Sequence, residues 1–402
     1  MKILHTSDWH LGQTFYNYSR EEEHRAFCAQ LCDIAASEKP DAIVVAGDIF
    51  DVSLPPIGAQ DLLVQMLMHL HSAAPGSVIV VIAGNHDSAS RLRIHSPLWR
   101  MCGVRIVALP EMADGVRDLD SQILSIPSYD EPERTAGYVV ACPFVSEGNY
   151  QRYVADAPRE SAVREYHTRL MERVKELNTG ALPVVMTAHL ALSDSAGHTS
   201  AILNFRDTAD MASGWDYLAL GHIHRPSSFC DGRARYCGSP FPLSFDEQYP
   251  HSVSLVTIAA HGAMPEVREV AIRVPVPVMS VPQAPKPLEE VLETLRRLPD
   301  GHGAYLRVNL EIEDFIPGNA RKAIDDAIVD KNYRFCGING VRARRRGGDA
   351  GAPQQLTTDQ IREMDPLEVA DQYYQKKYQI ALPERFSKCL KEIISDMEDA
   401  ES

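Results

Sequence analysis

Five times along this chain a short apolar run ends directly in residues able to bind a divalent metal. The ends are Asp8-Trp9-His10, Gly47-Asp48, Gly84-Asn85-His86-Asp87, Ala188-His189 and Gly221-His222-Ile223-His224. The runs before them, such as Asp41-Ala-Ile-Val-Val-Ala and Val78-Ile-Val-Val-Ile-Ala, read as strands buried on both faces. In an open α/β sheet, ligands gather in the crevice outside the carboxyl ends of the strands. Five distant segments are therefore expected to converge on one site of a layered α/β fold. A single His at a strand end is more often structural than ligating, so the recurrence carries the inference. Asp8 and His10, like His222 and His224, stand two apart, which turns each pair to one side of an extended strand.

The mixture of donors narrows the chemistry. Carboxylate, imidazole and a neutral amide oxygen suit Mn, Fe or Zn better than an all-oxygen Ca site or a thiolate Zn site. Two such ions ~3.5–4 Å apart can clamp a phosphate and lower the pKa of a bound water. The expected reaction is hydrolysis of a phosphate ester.

The order Asp-x-His, Gly-Asp, Gly-Asn-His-Asp, His, Gly-His-x-His is similar to that of the calcineurin-like metallophosphoesterase superfamily. The phrases HTSDWHLG, GNHDS, and LGHIHR followed by YCGSP and PLSFDE resemble its DNA-repair nuclease branch. The similarity runs over the whole chain and is strongest between Met1 and Glu247. It implies a layered metallophosphoesterase β-sandwich flanked by helices, a small α+β capping domain and a C-terminal helical tail. It also implies that Asp8, His10 and His224 hold one ion and Asn85, His189 and His222 the other, with Asp48 bridging both. His86 would stand outside the metal shell, as general acid to the leaving sugar oxygen or as a donor to the phosphate. Asp51 is the expected catalytic partner of His86, because phosphatases of the superfamily have an Asp at that spacing, although archaeal relatives in the nuclease branch tend to carry a His.

The resemblance further implies Mn²⁺ as cofactor and DNA as substrate, as double-strand ends, hairpins or single strands. The activities it implies are a 3′ to 5′ double-strand exonuclease, hairpin opening and a single-strand endonuclease, serving replication, recombination and repair. ATP chemistry would belong to an SMC-like ATPase partner, since no Gly-x-x-x-x-Gly-Lys-[Ser/Thr] phosphate loop occurs here. A homodimer within a heterotetramer is the implied assembly.

One departure bears on substrate. Phosphatases of the superfamily usually read Gly-Asp-x-x-Asp-Arg-Gly and Gly-Asn-His-Glu, whereas this chain has Gly47-Asp-Ile-Phe-Asp-Val-Ser and Gly84-Asn-His-Asp. The missing Arg would profit a dianionic monoester; a diester within DNA carries one charge and is held by its flanking phosphates. The alternative is a phosphomonoesterase or cyclic-nucleotide phosphodiesterase of the same superfamily. A non-catalytic scaffold would be expected to have lost ligands, and all of them are present.

Length and composition agree. A chain of 402 residues exceeds the ~150 of an average domain, so one large and one or two small domains are expected. No signal peptide or apolar run near ~18 residues is visible, which points to a cytosolic protein without a membrane span. None of the 8 cysteines forms a Cys-x-x-Cys pair, and they read as small buried hydrophobes in a reducing compartment. A net charge of −15 opposes DNA binding unless positive charge is locally concentrated. Arg91, Arg93, Arg100, Arg225, Arg233, Arg235 and the cluster Arg342, Arg344, Arg345 and Arg346 are the local candidates.

Periodicity places helices over Arg20–Ser37, Pro56–Ser72 and Tyr150–Asn178, hairpins and loops over Met112–Pro143, and a candidate substrate loop with His198, Asn204 and Arg206 over Ser193–Ser213. Residues 1–274 are expected to form the nuclease domain, with the prolines from Pro275 to Pro287 beginning as an extended linker. Residues 275–346 form the expected α+β capping module and 347–402 a Gly-rich linker and helical tail. The tail helices, Thr358–Gln375 and Pro383–Met397, have apolar faces that need a partner, which the resemblance identifies as the ATPase.

Overall fold

The computed structural model describes residues 1–342 other than 114–115, 155, 158–160, 194–202, 205–213, 301–302 and 314, together with Phe386. Met1–Arg342 form one compact unit. His198, Arg206, Arg344 to Arg346 and the tail helices lie outside the described residues.

In chain order the main strands are β1 (Lys2–Thr6), β2 (Ala42–Ala46), β3 (Val78–Ile82), β4 (Val104–Val107), β5 (Ile123–Pro127), β6 (Thr135–Cys142), β7 (Val184–His189), β8 (Tyr217–Gly221), β9 (Ser227–Phe229), β10 (Ala234–Tyr236), β11 (Ser252–Thr257) and β12 (Glu266–Ala271). They form two sheets, ordered β12-β11-β1-β2-β3-β4 and β9-β10-β8-β7-β6-β5. The sheets stack on a layer that includes Ile3, Val44, Val80, Val139, Val185 and Ala219. Because successive side chains alternate, the neighbours Leu4, Ile43 and Val81 face the opposite way. There they pack under helices α1 (Glu21–Glu38) and α2 (Ile57–Ala73), against Phe27, Leu31, Leu62 and Met66. Helix α3 (Ala162–Leu177) covers the second sheet with Tyr166, Leu170 and Val174. Central strands buried on both faces explain the unbroken apolar runs.

This is the layered sandwich that the motifs imply. Strands β1 to β3 are mutually parallel, as are β7 and β8, and the metal-binding segments sit at or just after the carboxyl ends of these five.

Two elements differ from expectation. The helix expected over Tyr150–Asn178 is a short 3₁₀ segment, Glu147–Arg152, followed by α3. Pro158 lies between them and removes a helical donor. The proline-rich stretch after Val274 is not a linker throughout, since it contains strand β13 (Val278–Lys286). With β14 (Tyr305–Ile312) and β15 (Arg334–Arg342) it makes a third, parallel sheet in the order β13-β14-β15. Prolines are tolerated because β13 is an edge strand, and its pairing is interrupted between Val281 and Lys286, where Pro282 and Pro285 fall.

Helices α4 (Leu288–Arg296) and α5 (Ala320–Ile328) cover this sheet over a core of Val291, Leu295, Leu306, Val308 and Ile324. Phe15, Phe245, Val276 and Tyr305 join it to the larger sandwich. Tyr305 also donates its hydroxyl to Glu23, which lies 3.4 Å from buried Arg20.

Candidate metal centre

The carboxyl ends of β1 and β2 are laced together. Asp8 N donates to Gly47 O and His10 N to Asp48 O, both at 3.0 Å, and Leu11 N donates to Ile49 O at 2.9 Å. Asp8, His10, Asp48 and His222 adopt left-handed φ values of 53°, 46°, 48° and 99°. Such conformations are costly for non-glycine residues and persist only where the surroundings impose them, commonly at functional sites. Here the strand turns back at the ligand itself, which aims each side chain into the crevice.

Three glycines let the segments approach. A Cβ on Gly84 would lie 2.1 Å from Asp48 Oδ1, one on Gly47 2.4 Å from His189 Nδ1, and one on Gly221 1.9 Å from Ala46 O. These positions tolerate no side chain without moving the site.

All seven expected ligands meet. Asp8, His10 and His224 form one group and Asp48, His189 and His222 a second, each with its donor atoms within 4.8 Å of one another. Asn85 Oδ1 is 2.9 Å from both His189 Nε2 and His222 Nδ1, which places it in the second group. Asp48 Oδ2 lies 3.3 Å from His189 Nε2 and 3.7 Å from His10 Nε2, so one carboxylate oxygen faces both groups.

The donor set fits divalent ions. Both ring nitrogens of His10 are buried and make no hydrogen bond, with only the Asp51 and Asp48 carboxylates near them, at 3.2 and 3.7 Å. The His189 and His222 nitrogens and the Asn85 oxygen present lone pairs to one point, an arrangement a cation satisfies. Asp8, His10, Asp48 and His189 make a buried floor, while Asn85 and His86 are exposed at the rim.

The protonation states without metal follow from these contacts. Burial opposes charge on His189, but the Asp48 carboxylate outweighs it and raises the imidazole to about 9. Burial also opposes ionisation of Asp48, yet His189 and His10 hold it below the usual carboxylate range. For His222, burial and the neighbouring His189 lower the pKa.

His86 lies beside both groups. Its backbone N donates to Asp48 Oδ1 at 2.9 Å, its ring stands 4.9 Å from that of His10, and its Nδ1 lies 2.8 Å from the Asp51 main-chain oxygen. The expected pairing with the Asp51 carboxylate is therefore not the one seen. That carboxylate turns to His10 Nδ1, at 3.2 Å. Asp51 N donates to Leu11 O at 3.2 Å, tying this segment to the first motif, and its carbonyl rather than its side chain meets His86.

A family model described as calcineurin-like phosphoesterase matches residues 1–226, and one described as type 5 capsule protein repressor C-terminal domain matches residues 274–378. The SbcD component of the SbcCD nuclease of Rhodobacter capsulatus is 37% identical over 376 residues, covering 89% of this chain and 91% of its own. Its namesake in Escherichia coli K12 is 30% identical over 343 residues, covering 80% and 81%. The chain belongs to the SbcD family of calcineurin-like phosphoesterases. The SbcD-family chain of Bacillus subtilis is 33% identical over 273 residues, 64% of this chain and 66% of its own. As an SbcD-family protein this one is a metal-dependent nuclease that uses divalent ions.

Other residues of this SbcD-family site were not singled out from the sequence. Glu247, within the phrase PLSFDE, places Oε1 3.1 Å from His224 Nδ1 and is fixed through Oε2 by Ser239 Oγ and Leu243 N at 3.2 and 3.0 Å. Burial opposes charging His224, and Glu247 overcomes it and raises the imidazole. Asp87 accepts from Gly84 N, Ile49 N and Phe50 N at 2.8, 3.1 and 2.9 Å, clamping the third motif to the second. Its place next to His86 was the available signal; only the fold shows that it faces backbone rather than metal.

Proposed function

We propose that this chain hydrolyses phosphodiester bonds in DNA as the nuclease subunit of an SbcCD-type complex. The observation that carries this reading is His86, exposed at the rim of two buried ligand groups and fixed by the Asp48 carboxylate at its backbone N and by the Asp51 main-chain oxygen at its Nδ1. One ion would be held by Asp8, His10 and His224 and the other by Asn85, His189 and His222, with Asp48 shared. When bound, the ions neutralise the phosphate and supply an acidic water as nucleophile.

The protein's own groups do the rest. His86 Nδ1–H donates to the Asp51 carbonyl, so Nε2 is the atom left to meet the substrate. In its imidazolium form it donates to the phosphate or protonates the leaving sugar oxygen. Asp51 acts through its carboxylate on His10 and through its carbonyl on His86. Glu247 and the Ala46 carbonyl, 2.9 Å from His189 Nδ1, orient the imidazoles so that their opposite nitrogens face the ions. The missing phosphatase Arg favours a diester over a monoester.

Mn²⁺ is the ion proposed, since mixed imidazole and carboxylate donors suit it better than Mg²⁺. The activities proposed are 3′ to 5′ double-strand exonuclease, hairpin opening and single-strand endonuclease cutting, in the cytoplasm. Residues 1–274 would form the nuclease domain and 275–346 the capping domain, whose separate apolar core supports that division. Residues 347–402 would dock an SbcC-type SMC-like ATPase. Ile57, Leu98 and Met101, exposed at 85%, 65% and 84%, support a homodimer face on and after α2, within a heterotetramer. Among the described residues no helix is long and apolar enough to cross a membrane.

Purified protein with Mn²⁺ on end-labelled duplex and hairpin DNA, with and without the ATPase partner and ATP, tests the reading. Metal-dependent cutting that the partner and ATP increase is expected. Turnover of small phosphate esters with no cutting of DNA in either condition would overturn it.

A further inference from the structure

Beside the Asn85 edge of the metal centre lies a cavity of about 440 Å³ that the reaction described above does not use. Its size falls within the ~300–1,000 Å³ of small-molecule sites. It is lined by Gly84, Asn85 and Asp87 of the third motif's loop and by Phe144, Arg152 and Tyr153.

The two lining segments are joined at Phe144. Phe144 N donates to Ala83 O at 2.9 Å, and its half-buried ring stands 6.4 Å from that of His189. Tyr153 is half-buried, with its ring 6.1 Å from that of Tyr166 on α3. Arg152 is exposed, and among the described residues no carboxylate pairs with it. By contrast Arg134, Arg169 and Arg173 each hold at least one carboxylate within 3.0 Å. In a chain of net charge −15, an arginine with no carboxylate partner among the described residues, beside aromatic rings and a metal site, can serve an anion.

A second cavity, of about 530 Å³, meets the first at Leu109 and is lined by Arg93 and Arg100, with Glu111 its carboxylate. Neither arginine is ion-paired among the described residues. Aromatic faces that stack bases, next to guanidinium groups that follow a backbone, are the recurring chemistry of single-strand recognition.

We propose that the first cavity is a subsite for one unstacked nucleotide of the substrate strand, next to the scissile phosphate. Its base lies between Phe144 and Tyr153, Arg152 contacts a flanking phosphate, and the strand continues past Leu109 towards Arg93 and Arg100. Stacking makes the subsite tolerant of sequence while demanding a base, which suits a nuclease that works through many different nucleotides. The inference rests on the DNA reading above and adds to it the requirement that one base leave the stack at the cut.

The test uses the full chain with Mn²⁺ and its ATPase partner on end-labelled oligonucleotides carrying one abasic residue, moved one position at a time. Wild-type cleavage is expected to slow about tenfold when the abasic residue sits at one fixed register from the cut, because a stacked base is lost. That register effect is expected to vanish in Tyr153→Leu. Arg152→Ala is expected to lower the ratio of DNA cleavage to bis(p-nitrophenyl) phosphate turnover about tenfold. Cleavage indifferent to the abasic position, with an unchanged ratio in Arg152→Ala, overturns the subsite alone. Absence of any DNA cleavage by the wild type overturns the nuclease reading and the subsite with it.

Discussion

His86 Nδ1 stands 2.8 Å from the main-chain oxygen of Asp51, while the Asp51 carboxylate lies 3.2 Å from His10 Nδ1. One residue thus serves the rim histidine through its backbone and the floor histidine through its side chain. Replacing the side chain is expected to leave His86 in place and loosen His10. Asp51→Ala should therefore weaken metal binding about 10–100-fold, as loss of a ligand's outer partner does. Calorimetric titration with Mn²⁺ checks this; unchanged metal affinity with cleavage as low as in His86→Ala would instead make the carboxylate a partner of His86.

Glu247 stands in the same relation to His224. Glu247→Ala should lower metal affinity by about 10–100-fold and leave the Leu243 N–H and Ser239 hydroxyl without their acceptor, at about 1–3 kcal/mol of stability. Glu247→Gln keeps an acceptor oxygen and loses the charge. A titration in which the Gln variant retains more affinity than the Ala variant would separate geometry from charge.

Gly84 makes a steric prediction. A methyl group there meets Asp48 Oδ1 at 2.1 Å and Asp48 N at 2.2 Å, so the third motif must move off the second. Gly84→Ala should lose about 1–3 kcal/mol, the usual cost of overpacking, together with metal binding. Thermal unfolding with and without Mn²⁺ reads both, the expected sign being a vanished metal-induced rise in Tm.

The sandwich, and the gathering of the candidate ligands at its strand ends, were legible because burial on both faces writes strands as unbroken apolar runs, and because those residues follow the runs directly. Glu247 was not, since it reaches His224 only through the fold, 23 residues later in the chain. Asp51 meets His86 through its main-chain oxygen while its carboxylate faces His10, an outcome of the backbone after Asp48 that no side-chain pattern records. The prolines of β13 hid a strand because edge position, which makes them tolerable, is a property of the sheet. The same holds for α3, whose charged helical pattern continues upstream through a segment that Pro158 interrupts.

The Asp48–His189 pair sets a pH dependence. His189, raised to about 9 from 6.5, contributes stability to the metal-free protein that is full below pH 6.5 and is lost as pH rises through about 9. Asp48, held below its usual 3.8, contributes stability that is present above that value and lost as pH falls below it. Metal needs the unprotonated imidazole, so its stabilising effect grows over the same range in which the metal-free protein weakens. Melting curves in EDTA and in Mn²⁺ between pH 6.5 and about 8.5 should diverge as pH rises; parallel curves would remove His189 from the ligand set.

The most direct measurement pairs metal titration with DNA cleavage in His86→Ala. His86 belongs to neither ligand group, so the variant should bind two Mn²⁺ ions with wild-type affinity while cleavage falls about 100-fold or more, the range expected for a lost proton donor. Loss of one bound ion, or cleavage close to that of the wild type, would contradict the assignment of His86 as the group that acts on the substrate.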